Sequence, residues 1–310
     1  MLSKTEDIEF RESIFAWLRA KQINKPFFSR ADLSQFRYKD RDIRLIGPQT
    51  GIWWPKDLSM GAIGIWSAYV PEGQERPYED NFGTDGFLRY KWRGLDSQTA
   101  DNRALRYAME EGLPLVLYQG IGYEPGTQTQ IAQPIFPVYL IGEEPEFHQF
   151  VVALESSQHV LSPAQPIEVL EIARKYNERV TRTRYHQPLF RARVIHAYEE
   201  RCAVCRLPFT ELLEAAHIKP DSEGGPARVS NGMSMCKIHH GAYDANILGI
   251  SPDYKVHIKE SVLQTFDGPT LQHSLKEMHG ELLRQLPSEK PNRPDKDFLA
   301  ERFERFEKAS

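Results

Sequence analysis

Residues 201–250 read RCAVCRLPFTELLEAAHIKPDSEGGPARVSNGMSMCKIHHGAYDANILGI. All three cysteines of the chain fall here, in two pairs, Cys202-x2-Cys205 and Cys236-x2-His239. Zinc takes four nitrogen or sulfur ligands in a tetrahedron, and a two-residue spacing lets one tight turn offer two of them. The expectation is a structural zinc on Cys202, Cys205, Cys236 and His239; the plainer alternative is a small buried thiol cluster. Inside the loop that these pairs close lie His217, Asn231, His240 and Asp244. His240 and Asp244 are four apart, so on a helix they share a face and could hold one divalent ion together. The LLEAAHI run before His217 alternates weakly, as a strand does, and residues 220–226 (PDSEGGP) read as a loop. Residues from Asn231 to Ala245 then read as the metal-bearing helix.

These residue types suit phosphodiester hydrolysis. That reaction needs a base for the attacking water and a cation for the developing charge and the leaving oxygen. A neutral His217 beside an ion supplies the first, and the ion supplies the second. Asn231 is an uncharged orienter, whose amide can bridge backbone groups and fix the loop carrying His217.

The order His217, Asn231, His240, framed by the C-x2-C and C-x2-H pairs, resembles the HNH (ββα-metal) endonucleases of modification-dependent restriction. The likeness spans roughly residues 190–260. It implies His217 as the base, Asn231 as the orienting residue, and His240 with Asp244 as ligands of a catalytic Mg²⁺, Mn²⁺, Co²⁺ or Ni²⁺. One departure is Ala216, where many relatives carry an Asp or His ligand. Glu214, on the same strand face, is a candidate to compensate. The adjacent histidines divide as His239 to zinc and His240 to the catalytic ion, with the reverse assignment as the alternative. The other histidines fall in no ligand-like spacing.

Outward from this core, residues 174–193 hold Arg174, Lys175, Arg179, Arg182, Arg184, Arg191 and Arg193 against one acid, Glu178. The whole chain carries a net charge of −4, so this is a local basic patch in a molecule that is not basic overall. It is either a solvated helix face or an approach to phosphates, with Arg182, Arg184, Arg191 and Arg193 as the backbone contacts. Residues 156–189 are accordingly a basic linker and helix, and 261–310 a helical extension ending in DKDFLAERFERFEKA, whose Phe298, Phe303 and Phe306 pack back.

The chain has 310 residues, of which 40% are hydrophobic and 26% charged. That suggests two domains with real cores and excludes a disordered or collagen-like chain. The N-terminal stretch has no apolar signal-peptide core, and no apolar run approaches the ~20 residues of a membrane span. Three cysteines close no disulfide framework. The expectation is a cytoplasmic protein without a membrane segment.

Residues 6–21 place Ile8, Ile14, Phe15, Trp17 and Leu18 at helical spacing. Short strands and turns follow over 43–70, then a helix over 101–111 and β-like segments at 113–118, 135–141 and 150–154. Residues 1–155 thus read as an α+β domain with a mostly antiparallel sheet or barrel. The run TGIWWPKDLSMGAIGIW (50–66), then Tyr78-Glu79-Asp80, GFLRYKWRG (86–94) and DNRALRYA (101–108), resembles the SRA (YDG) domains that read modified cytosine. The resemblance implies a PUA-like β-barrel with helices that flips a base into an aromatic pocket. Flipping costs a few kcal/mol, offset by stacking and edge hydrogen bonds. Tyr78 and Asp80 match the family's tyrosine-plus-acid segment, and Trp66 and Trp92 are further stacking candidates; in a β-rich domain such rings are also common core residues. Trp66-Ser67-Ala68-Tyr69 stands where the family has Asp-Gly-Ala-Tyr, so methyl, hydroxymethyl and bulkier groups all stay open.

Together these features predict a double-stranded-DNA endonuclease directed to modified cytosine, an SRA-like domain joined to a zinc-braced HNH domain at 190–260. One hydrolytic centre per chain and two strands to cut suggest a homodimer. Two other readings compete: an HNH nuclease gated by a small ligand or partner protein on its N-terminal domain, and a non-catalytic zinc-dependent DNA-binding protein.

Overall fold

The computed structural model describes residues 1–23, 25–71, 82–158, 167–266 and 268–309. The chain forms two compact units, Met1–Leu189 and Phe190–Ser310. Among the described residues, no helix is long and apolar enough to cross a membrane.

The first unit opens with the helix Lys4–Gln22, started by a Ser3–Glu6 capping box with Glu6 and Asp7 in the first turn and Arg19 and Lys21 in the last. Its buried stripe is Phe10, Ile14, Phe15 and Leu18, each worth about 1.5–3 kcal/mol when fully buried. Ile8, expected on that stripe, points outward, and Phe10 takes its place. Arg11 is also buried. It pairs with Asp7 at 2.8 Å and donates to the carbonyls of Ala62 and Pro114, which ties the helix to the sheet. A buried guanidinium is tolerable only with such partners.

Among the described residues, seven strands join in one sheet, ordered Ile52–Trp53, Gly64–Ser67, Leu115–Tyr123, Gln130–Glu144, Gln149–Ala153 and Leu88–Lys91, with Phe28–Ser29 also on Gln130–Glu144. Pairing is antiparallel except between Gly64–Ser67 and Leu115–Tyr123, which run parallel. The helix Ala100–Glu110, capped by Thr99, lies in the connection between those two. The long strand Gln130–Glu144 pairs first with Leu115–Tyr123 and then with Gln149–Ala153. Register shifts interrupt both ladders, so the sheet curls instead of lying flat. The unit is therefore a mixed α+β fold around a curled sheet. The basic region follows as the helix Ile167–Thr181, a π turn at Arg182–His186 and the helix Gln187–Ala197.

The second unit is built on the hairpin Leu213–His217 with Gly232–Cys236, followed by the helix Lys237–Asp244. The expected helix from Asn231 is thus shorter. Val229–Asn231 is a 3-10 turn and residues 232–236 are strand, because every one of them pairs across to 213–217. A second hairpin, Leu248–Ile250 with Val256–Ile258, and the helix Lys296–Ala309 close the unit. In that last helix Phe306 is buried, packed on Phe303 and against Gly249, while Phe298 is half-buried.

Candidate metal and hydrolytic centre

The thiols of Cys202, Cys205 and Cys236 and the imidazole of His239 meet with all four ligand atoms within 4.8 Å of one another. His239 Nδ1 lies 3.1 Å from Cys236 Sγ and 3.5 Å from Cys202 Sγ. Its other nitrogen faces the Ser274 carbonyl at 2.7 Å. A carbonyl only accepts, so Nε2 carries a hydrogen, and Nδ1 is the nitrogen that faces the sulfurs. The backbone N–H of Cys236 donates to Cys202 Sγ.

Proton sharing in this cluster is strong. Hydrogen bonds from Cys202 and Cys205 hold the Cys236 thiol far below its ordinary value, whereas the Cys202 thiol is pushed up by its bonds with Cys205 and Cys236. Burial lowers the His239 pKa, but the bonds with Cys202 and Cys236 outweigh it and push it up to about 10. Three thiols and an imidazole nitrogen that converge this closely fit a tetrahedral Cys3His zinc site, in which zinc would take the place of the thiol protons.

The second constellation lies along the hairpin and the helix. His217 ends the strand Leu213–His217 opposite Gly232. Its ring lies flat on Phe190, centroids 4.1 Å apart and 17° from parallel. A Cβ on Gly232 would come within 2.5 Å of Val194 and 2.7 Å of Phe190, so only glycine lets the helix Gln187–Ala197 come this close. Burial holds the His217 pKa below its ordinary value, with Asp221 and Asp244 opposing and His240 reinforcing the shift. The imidazole is therefore neutral near pH 7, as a proton acceptor must be.

Asn231 is fully buried. Its Oδ1 accepts from the Lys219 N–H at 2.9 Å, and its Nδ2 donates to the carbonyls of Lys219 and Pro226, both at 3.0 Å. The side chain thus clamps both ends of the loop that follows His217. Gly225 makes room for it: a Cβ there would stand 2.0 Å from the Lys219 carbonyl oxygen and 2.9 Å from Asn231 Nδ2.

His240 and Asp244 do share a helix face. His240 Nε2 and Asp244 Oδ2 are 3.3 Å apart. Two ligands at ~2.1 Å from one ion stand about 3 Å apart when they are neighbours in its shell, so this pair fits a divalent cation. Glu214 does not join Asp244 around a common point. Its Oε2 lies 2.6 Å from the opposite nitrogen, His240 Nδ1. Ala216 is fully buried in the unit's core.

Of the basic residues, Arg182 is exposed and Arg193 half-buried, while Arg184 donates to the Phe136 carbonyl at 3.2 Å. Arg191 donates to the carbonyls of Thr210 and Leu213, both at 2.8 Å, and so braces the start of the His217 strand. Arg302 on the last helix does the same for the helix Lys237–Asp244, donating to the Tyr243 carbonyl at 2.7 Å. Sequence reading missed Phe190 and Arg302, which reach the site from outside the motif and carry no local signal of it.

In the first unit, Trp66 and Trp92 are both 6% exposed and line one cavity of about 310 Å³ together with Arg30, Thr50 and Tyr90. The Arg30 guanidinium stacks over the Trp66 ring at 4.4 Å and donates to the Thr50 carbonyl at 2.9 Å. Trp66 also belongs to the hydrophobic core of the unit. Tyr78 and Asp80 lie outside the described residues.

Residues 202–251 match the HNH endonuclease family. This segment, with its Cys3His cluster and strand–strand–helix core, is an HNH endonuclease domain. Solved structures similar to the chain include two restriction endonucleases. A modification dependent TagI restriction endonuclease is 20% identical over 82% of this chain and 84% of that chain, with a TM-score of 0.28. The Type IV phosphorothioation-dependent restriction endonuclease ScoMcrA is 15% identical, with a TM-score of 0.23, over 62% of this chain and 51% of that chain. No curated protein matches the chain.

Proposed function

We propose that the protein is a modification-dependent DNA endonuclease, in which the first unit recognises cytosine carrying a methyl or hydroxymethyl group in double-stranded DNA. The observation that carries the nuclease reading is His217 stacked on Phe190 at 4.1 Å, at the end of the hairpin that leads into the helix bearing His240 and Asp244. In this reading His217 takes a proton from the attacking water. Asn231 holds the following loop so that the imidazole keeps its position, and the ring of Phe190 limits its rotation. A divalent cation on His240 and Asp244 supplies positive charge for the phosphate and the leaving oxygen when bound. The zinc on Cys202, Cys205, Cys236 and His239 fixes the hairpin to the helix and takes no part in the chemistry.

For the first unit we propose an SRA-like (PUA-like) reader. Support comes from the cavity between Trp66 and Trp92, whose volume sits at the low end of small-molecule pockets, ~300–1,000 Å³, and suits a single base. Aromatic walls give stacking, and Arg30 presents hydrogen-bond donors to a base edge. Tyr78 and Asp80, outside the described residues, belong to this reading through their match to the family's tyrosine-plus-acid segment alone. Arg182 is proposed as a phosphate contact, together with Arg184, Arg191 and Arg193. We also propose a homodimer, so that two hydrolytic centres cut the two strands.

A small ligand would fit the same cavity, so gating by such a ligand is the second reading. Cleavage and binding of otherwise identical duplexes carrying cytosine, methylcytosine or hydroxymethylcytosine, in Mg²⁺, Mn²⁺, Co²⁺ or Ni²⁺, separates the two. Preferential binding and cutting of a modified duplex supports the reader. Equal binding to all three, with none cut, overturns it.

A further inference from the structure

Two adjacent histidines on the helix Lys237–Asp244 are each pinned at one ring nitrogen, and at opposite ones. His239 donates through Nε2 to the Ser274 carbonyl and turns Nδ1 to the cysteines. His240 has Nδ1 2.6 Å from Glu214 Oε2 and Nε2 3.3 Å from Asp244 Oδ2. A carboxylate has lone pairs only, so the hydrogen between His240 and Glu214 belongs to Nδ1. Without a cation a hydrogen on Nε2 would face Asp244 Oδ2 in the same way; with a cation in that place Nε2 gives it the lone pair, while Nδ1 keeps its hydrogen on Glu214.

We infer that Glu214 is the positioning residue of the catalytic ion site: it fixes the His240 tautomer and ring orientation so that Nε2 faces the cation. The inference rests on the nuclease reading and deepens it. Three observations support positioning over direct ligation. Glu214 contacts the nitrogen on the far side of the ring from Asp244. Among the described residues, Glu214, His240 and Asp244 do not bring three ligand atoms together, as the Cys202 cluster does. Glu214 also comes from the neighbouring strand, paired through Met235, and so couples the His217 strand to the metal helix. Arg191 braces that strand through the Leu213 carbonyl; burial lowers the pKa of its half-buried guanidinium and the Glu214 charge opposes that lowering. A carboxylate behind a ligating imidazole raises its basicity, and losing such a partner costs about 10–100-fold in metal affinity.

Ala216, where a ligand was expected, thus need not be replaced by Glu214 in the ion's shell. Glu214 acts one bond further out.

The test uses the full-length zinc-loaded protein and compares wild type, Glu214→Ala and Glu214→Gln. The first readout is the ¹⁵N shift pattern of His240 with a diamagnetic divalent ion, Mg²⁺, added to the zinc-loaded protein at a pH where the ring is neutral. Wild type and Glu214→Gln, whose carbonyl oxygen still accepts, should show the Nδ1–H form, and Glu214→Ala should move toward Nε2–H. The second readout is Mn²⁺ binding by calorimetry, expected to weaken 10–100-fold in Glu214→Ala and far less in Glu214→Gln. An unchanged tautomer in Glu214→Ala overturns the inference and leaves the nuclease reading standing. Equal Mn²⁺ loss in both variants makes Glu214 a ligand and overturns positioning. Wild-type protein that binds no Mn²⁺ overturns the nuclease reading and the inference with it.

Discussion

Phe190 lies against the face of His217 with their rings 17° from parallel, so a helix outside the motif sets the orientation of the proposed base. A base must meet its proton within a few tenths of an ångström, and a misplacement of about 1 Å can cost roughly 10²-fold. Phe190→Ala is therefore expected to lower single-turnover cleavage by about that factor while Mn²⁺ binding stays as in wild type. Phe190→Leu, which keeps most of the buried volume, controls for the ~3–5 kcal/mol that a Phe→Ala cavity costs in stability. Full activity in Phe190→Ala would remove the ring from the account.

Asn231 makes three hydrogen bonds in a fully buried position. Asn231→Ala strands one N–H and two carbonyls, each costing about 1–3 kcal/mol if left unpaired. The second unit should melt at a lower temperature and the loop 218–226 should exchange its amide hydrogens faster. An unaltered melting curve and exchange pattern would contradict the clamp.

How much of this was legible in the sequence depends on range. The Cys3His cluster and the closeness of His240 to Asp244 were readable because these residues repeat at short spacings, Cys202-x2-Cys205, Cys236-x2-His239 and His240 to Asp244. The stretch 231–236 was misjudged as helix because Asn-Gly-Met-Ser-Met-Cys has no decisive periodicity of its own, and its strand state comes from pairing with 213–217. Glu214 was noticed, but its partner was not, since whether it turns to Asp244 or to His240 depends on the packing of strand on helix. Phe190, Arg191 and Arg302 reach the site from other elements, and no local pattern marks that. In the first unit the burial of Trp66 and Trp92 was readable from their β-rich setting, whereas the cavity that both line is made by residues distant in sequence.

The His217 pKa sets a pH dependence. Burial lowers it from 6.5 and the nearby His240 adds to the effect. A lowered pKa keeps the imidazole neutral to lower pH, so the base is fully available above about 6.5 and is lost only below that. The acidic limb of the single-turnover rate, measured at saturating Mn²⁺, should have its midpoint below 6.5. A midpoint at ~7 or higher would show that burial does not govern this group.

Zinc removal should act on folding. Structural zinc sites contribute binding energy directly to stability, about 10–16 kcal/mol in small zinc domains. Cys202→Ser is expected to lose zinc, read by elemental analysis, and to abolish the cooperative melting of the second unit. Retention of one zinc per chain with a normal melt would contradict the Cys3His assignment.

The central claim is that His217 activates the water that cuts DNA. Single-turnover cleavage by His217→Ala, on a duplex that the wild type cuts and with Mn²⁺ present, tests it most directly. General base catalysis is worth about 10²–10⁴-fold, so the rate should fall by at least 10²-fold with DNA affinity, zinc content and melting temperature unchanged. Cutting at the wild-type rate by that variant would place the base elsewhere and end the account.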